Sequence, residues 1–176
     1  MDLGKTLATV SSFLEGNGYR YGVIGGVALA MYGMPRATVD LDLVVEAAAQ
    51  DDLIRFLESL GYQTLHRSSG YSNHAHLDPS QGKLDVVYVR GETGEKIFSS
   101  CRRLKGPGGI DAPVPRPEHL AALKVLAMKN DPSRTFQEMA DLRFLIALPG
   151  VDRREIHTYF TRHDFEDRFD ELNKNL

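Results

Sequence analysis

The sequence predicts an α+β protein: a mixed β-sheet core flanked by helices, followed by a C-terminal helical bundle. Two observations carry this. Strand-like segments with a period of two, TVDLDLVV at Thr38–Val45 and KLDVVYV at Lys83–Val89, are interleaved with helical patterns in the first half. Glycine and proline then crowd the stretch from Gly91 to Pro117, and beyond Pro117 the pattern is helical to the end. With 42% apolar and 26% charged residues among 176, the chain can bury a substantial core.

In order, residues 2–15 carry Leu3, Leu7, Val10 and Leu14 on one helical stripe, stopped by Gly16, Asn17 and Gly18. Tyr21–Gly25 is a short apolar strand, and Gly26–Tyr32 is a small-residue helix ended by Gly33. In the strand over Thr38–Val45, Val39, Leu41, Leu43 and Val45 share one face and Asp40 and Asp42 the other. Residues 48–60 form an amphipathic helix with Leu53, Phe56, Leu57 and Leu60 inward. Extended segments follow near Tyr62–His66 and His74–Asp78, then the strand Lys83–Val89 and a helix near Glu95–Arg103. Helices are expected at 117–129, 134–148 and 152–163, before a charged tail. The break at about 106–116 divides a core, 1–112, from a helical region, 113–176, that completes the cleft, unless the whole is one compact domain.

Several classes are excluded. No apolar run approaches the ~20 residues of a membrane span, and residues 1–15 lack a signal-peptide pattern. One cysteine, Cys101, forms no internal disulfide or cysteine zinc cluster and suits a reducing, cytoplasmic setting. A net charge of −3 argues against coating nucleic acid through charge alone. His74 and His76 alternate on one segment but lack a third ligand for zinc. Arg102, Arg103 and Lys105 form a small basic cluster that suits either an RNA backbone or plain solvation.

The chemistry is concentrated in carboxylates. Asp40 and Asp42 leave one strand face with Cβ atoms roughly 7 Å apart, and such a pair repels unless a cation lies between. All-oxygen ligation on a strand suits Mg²⁺ or Mn²⁺. Asp85, between Leu84 and Val86, points away from its apolar neighbours on a second strand. Three aspartates on two adjacent strands suit two ions about 4 Å apart, as used in nucleotidyl transfer. The bland reading is a solvated sheet face. Upstream context favours chemistry: Gly25 and Gly26 close a buried strand and open a helix, where phosphate can approach the backbone.

The run VIGGVALAMYGMPRATVDLDLVV resembles the signature of the DNA polymerase β-type nucleotidyltransferase superfamily, in which a glycine pair precedes D-h-D by about ten residues. KLDVVYV resembles its third-carboxylate strand. More narrowly, R-A-T-x-D-L-D-L and P-E-H-L-A-A-L-K resemble the AbiEii and minimal nucleotidyltransferase proteins of toxin–antitoxin systems, over roughly residues 20–148. The resemblance implies a mixed-sheet nucleotidyltransferase core, two Mg²⁺ ions and a nucleoside triphosphate donor. Asp40, Asp42 and Asp85 would bind the metals, with Asp85 also acting on the acceptor hydroxyl. Gly25 and Gly26 would hold the triphosphate, and Arg36 would reach a phosphate oxygen unless it is a solvated loop cation. The arginine-aspartate that follows the glycine pair in tRNA-terminus-adding members is replaced here by Val27-Ala28-Leu29-Ala30.

In the helical half, Lys124 lies beside the Leu120, Leu123 and Ala127 stripe. It either snorkels or, as the resemblance implies, neutralises the triphosphate. Asp141 matches an aspartate that faces the cleft in relatives, the alternative being a salt bridge to Lys124 or Arg134. The lysine-aspartate pair that precedes it in relatives is replaced by Gln137-Glu138. The expected function is Mg²⁺-dependent transfer of a nucleoside monophosphate to a hydroxyl on RNA, such as a tRNA 3′ end, or on protein. The chain would act as the toxin beside a cognate antitoxin. The alternative is a catalytically silent or antitoxin-type relative that binds or modifies its partner.

Overall fold

Strands satisfy their backbone N–H and C=O groups by pairing side by side, and the apolar residues they align make one face of the sheet a core. The computed structural model describes residues 2–34 and 37–174, and Arg36 lies outside them. The strands are β1 (Tyr21–Ile24), β2 (Leu41–Glu46), β3 (Tyr62–Arg67), β4 (Tyr71–His76) and β5 (Lys83–Val89). They form one sheet in the order β1-β2-β5-β4-β3. β2 and β5 run parallel and the other neighbours antiparallel, so the sheet is mixed. Leu41, Leu43 and Val45 of β2, with Leu84, Val86 and Tyr88 of β5, are buried on its inner face.

The chain divides into two compact units, Met1–Pro115 and Arg116–Leu176. In the first, α1 (Leu3–Gly16) is capped by Asp2, whose carboxylate accepts the Lys5 N–H, and buries Leu7, Val10 and Leu14. α2 (Gly25–Met31) follows β1 directly, and α3 (Gln50–Ser59) follows β2. Phe13 of α1 stacks on Phe56 of α3 at 4.0 Å between centroids. Within α3 the inward stripe includes Ile54, while Leu60 is left exposed just past its end.

Some expectations need correction. Thr38–Val45 is not strand throughout: β2 starts only at Leu41. β1 ends its pairing at Ile24, opposite Asp42, because the chain turns into α2 at Gly25; among the described residues nothing on that side pairs with residues before 41. Val39 is consequently 67% exposed. The helix near Glu95–Arg103 is α4, Gly91–Ser99, and Arg102–Lys105 (β6) pairs with Asp111–Val114 (β7) as a hairpin. The glycine-rich bend Gly106–Gly109, with φ +67° at Gly108, allows that return.

β4 begins at Tyr71 rather than at His74, and its alternation divides its side chains between the two faces. Ser72 and His74 point inward, and their polar atoms are satisfied in a chain. Tyr88 hydroxyl lies 2.9 Å from Ser72 Oγ, which lies 2.8 Å from His74 Nε2. His74 Nδ1 lies 3.3 Å from Thr64 Oγ1, which itself donates to Glu58 Oε1 at 2.9 Å. Thr64 therefore accepts from Nδ1–H, leaving Nε2 to accept from Ser72: a neutral imidazole, its pKa lowered by burial. His76 is equally committed, with Nδ1 accepting the Asp78 N–H at 2.9 Å and Nε2 donating to the Leu60 carbonyl at 3.0 Å.

The second unit is helical: α5 (Pro117–Asn130), α6 (Thr135–Ala147), α7 (Arg153–Thr161) and α8 (Glu166–Asn173). The charged tail thus forms a helix of its own, which buries Phe169 and Leu172. Proline at the first position of α5 has no N–H to leave unsatisfied. Arg116, just before it, donates to Glu155 Oε1 at 2.5 Å, and Glu118 Oε1 accepts the Asp152 N–H at 2.8 Å, fastening α5 to the start of α7.

Candidate active site

Sheet register assembles the site in the first unit. Asp42 of β2 stands beside Asp85 of the parallel strand β5, and Asp85 stands beside Asn73 of β4. Neighbours in register send their side chains to the same face, with strands about 4.8 Å apart. A polar row therefore crosses three strands, and His66 of β3, paired with Asn73 past a bulge at Leu65, extends it to the sheet edge. The Asn73 amide donates to Asp85 Oδ1. Tyr71 stands diagonal to Asp85 on the same face; burial, then the Asp85 charge, pushes the Tyr71 phenol up to about 12.

Gly25 closes the other flank. Its φ is +64°, and a Cβ built there would lie 2.0 Å from Asp42 Oδ2 and 2.8 Å from Asp42 Cβ. The Asp42 carboxylate therefore packs directly on the Gly25 backbone, an approach only glycine allows. Gly26 is crowded by Thr38, with a would-be contact of 3.0 Å, and the Thr38 hydroxyl donates to the Asp40 carbonyl at 3.3 Å. Asp40 itself occupies the bend before β2.

Of the three expected metal-binding carboxylates, Asp42 and Asp85 are neighbours in register, and Asp40 precedes the strand. Among the described residues, no three histidine, cysteine or acidic side chains are gathered into a ready metal cluster. The donor chemistry of the pair still fits a hard divalent cation: oxygen only, on adjacent strands, beside the Gly25 turn.

Lys124 and Asp141 lie in the second unit. The Lys124 ammonium donates to Asp141 Oδ2 at 2.7 Å and contacts Glu138 Oε2 at 2.8 Å, and Arg134 contacts Glu138 Oε1 at 2.7 Å. Glu138 and Asp141 are almost fully buried, so this is an interior ion network rather than a surface one. Glu138 is the member that sequence reasoning passed over: in the replaced Gln137-Glu138 pair, Gln137 is exposed while Glu138 keeps a buried acid at its position. Its signal was spacing, three residues before Asp141 on one helical face.

Other charged features are spent on local pairs. An open depression of about 370 Å³, lined by Tyr19, Arg20, Glu95, Phe98 and Arg103, lies by the start of β1, away from Gly25. There Arg20 pairs with Glu46 and Glu95, and Arg103 with Glu15. Lys105 pairs with Asp111. Cys101 is held as a thiol, its pKa pushed up to about 11 by burial.

A mixed sheet carrying aspartates on parallel neighbours, next to a strand–glycine–helix turn, defines a nucleotidyltransferase fold. The solved structures that it resembles agree. The antibiotic-resistance factor ANT(2'')-Ia superposes with a TM-score of 0.69 at 16% identity, over 99% of this chain and 97% of that one. The lincosamide antibiotic adenylyltransferase LnuA, lincomycin-bound, gives 0.60 at 18% identity over 81% and 96%. A putative nucleotidyltransferase from Thermotoga maritima gives 0.55 at 14% identity over 78% and 91%. No curated protein sequence matches significantly. Residues 22–175 match the family described as nucleotidyl transferase AbiEii toxin, type IV TA system, and the chain belongs to that family. It is an enzyme of nucleotidyl transfer from a toxin–antitoxin context. No helix among the described residues is long and apolar enough to cross a membrane.

Proposed function

We propose that this protein is the toxin of its system and moves a nucleoside monophosphate from an NTP to a hydroxyl on a macromolecule, an RNA 3′ end such as that of tRNA or a protein side chain. The observation that carries the reading is the register pair Asp42–Asp85 beside the Gly25 turn. Asp42 and Asp85, with Asp40 from the preceding bend, would hold Mg²⁺ or Mn²⁺. Such ions, when bound, supply charge neutralisation for the triphosphate and lower the pKa of the attacking hydroxyl.

The phosphates lie along the Gly25–Gly26 backbone, as the family resemblance implies, where the glycines add no side chain of their own. Asp85 takes the acceptor proton as the acceptor oxygen bonds to the α-phosphorus. The bond from that phosphorus to the bridging oxygen breaks, and its electron pair leaves with pyrophosphate. Arg36, four residues before Asp40 in the sequence, is assigned to a phosphate oxygen on the same resemblance. The nucleotide-binding roles of Lys124 and Asp141 are more demanding: Lys124 serves a phosphate only by exchanging a carboxylate partner for it. Retention of an acid at Glu138 favours an active enzyme over a silent relative, since the replaced motif keeps its buried charge.

The test is incubation of the purified protein with Mg²⁺, each α-³²P-labelled NTP, total RNA and cell lysate. Transfer of label to RNA or protein, lost in Asp42→Asn and Asp85→Asn variants that remain folded, is the expected result. Undiminished transfer by either variant overturns the assignment.

A further inference from the structure

Asparagine is depleted in β-strands because its short amide competes with the backbone, so one in the middle of a central strand has a local reason to be there. On β4, Asn73 faces the same side as Asp85, directly opposite it in antiparallel register, and its amide donates to Asp85 Oδ1. An amide donor on a carboxylate oxygen is charge-assisted and fixes the plane of the acceptor group. Tyr71 lies two residues before Asn73 on the same face, diagonal to Asp85. One side chain of β4 thus holds a carboxylate of the next strand directly. The inner-face counterparts, Ser72 and His74, are engaged elsewhere.

We infer that Asn73 is a positioning residue for the transfer reaction, holding Asp85 in the orientation that accepts the acceptor proton. This rests on the reading of Asp85 given above. Without the amide, the carboxylate can rotate about its own bond, and only a fraction of its orientations remains productive. Asn73 lies on the side of β5 away from β2 and Gly25, so its loss should spare nucleotide binding.

The experiment compares wild type, Asn73→Ala and Tyr71→Phe, using Mg²⁺, the four α-³²P NTPs, and total RNA with lysate protein as acceptors. Mn²⁺ affinity is measured in parallel by electron paramagnetic resonance. Asn73→Ala is expected to lower kcat about 10- to 100-fold and to weaken Mn²⁺ binding about tenfold, as removal of a group that orients a ligand does. The KM for the NTP should stay within about twofold and Tm within about 2 °C. Tyr71→Phe, at the same-face neighbour of Asn73 on β4, serves as the comparison and should move the same two quantities by less than about threefold. Unchanged kcat and Mn²⁺ affinity in an active background overturn this inference alone. A loss of kcat matched by an equal rise in KM or by lowered Tm in both variants overturns it too, reducing Asn73 to a packing role. Absence of transfer by wild type with every NTP removes the underlying reading and this one with it.

Discussion

Replacing Gly25 by alanine perturbs the site through a single methyl group. At φ +64° an alanine bears a left-handed penalty of about 1–2 kcal/mol. Its Cβ would also stand 2.0 Å from Asp42 Oδ2, 2.6 Å from Cγ and 2.8 Å from Cβ. Turning the Asp42 side chain relieves the first two contacts but not the third, because Cβ moves only with the backbone. β1 or β2 must shift, at the ~1–3 kcal/mol typical of overpacking. The total, about 2–5 kcal/mol, corresponds to a Tm lowered by about 6–15 °C at ~3 °C per kcal/mol. Gly18→Ala is the control: its φ of +72° carries the same backbone penalty, with nothing within 4 Å of the added atom. Calorimetry on both variants, with label transfer alongside, should find Gly25→Ala at least about 1 kcal/mol less stable than Gly18→Ala and devoid of transfer. Equal stabilities, or a fully active Gly25→Ala, would refute the close approach of Asp42 to that backbone.

Further outcomes follow from the ionisable groups. Lys124→Met withdraws the ammonium from two buried carboxylates and should cost about 3–5 kcal/mol by denaturant unfolding, much of it recovered when Glu138→Gln and Asp141→Asn are added. The thiol of Cys101, raised to about 11, should react with Ellman's reagent at pH 8 only as the protein unfolds. Tyr21, Tyr71 and Tyr159 are each raised to about 12, chiefly by burial, so the folded state keeps protons that the unfolded state releases near pH 10. Stability should hold below pH 10 and fall between about 10 and 12, with tyrosinate absorbance appearing together with unfolding. His74 has the opposite sign: its pKa is lowered, so stability present above about 6.5 declines as pH falls below it. His74→Gln should flatten that decline in pH-dependent melts.

Much of this architecture was legible in local pattern. The alternation of KLDVVYV matches β5 residue for residue, and the Leu7, Val10, Leu14 stripe is buried as its spacing predicts. The glycine pair was readable as a strand-to-helix turn because a short apolar run precedes it and a run of small residues follows it. What was not legible depends on partners distant in sequence. β2 starts at Leu41 because β1 ends at Ile24, a fact of pairing that no property of Thr38-Val39-Asp40 encodes. The β6–β7 hairpin was hidden by charged residues, since Arg103 and Lys105 satisfy their charges through Glu15 and Asp111 rather than on a solvated helix. The contact of Asn73 with Asp85 was invisible without register, because the polar run SNHAH carries no apolar alternation that would place its strand.

The central claim is that Asp42 and Asp85 hold the reacting end of a nucleotide beside Gly25. Its most direct measurement is anomalous diffraction from crystals grown with Mn²⁺ and an NTP analogue that cannot be cleaved between its α- and β-phosphates. The account predicts a manganese peak within about 2.5 Å of oxygens from both aspartates, with phosphates along Gly25–Gly26. Manganese and triphosphate bound elsewhere, with Asp42 and Asp85 touching neither, would contradict it.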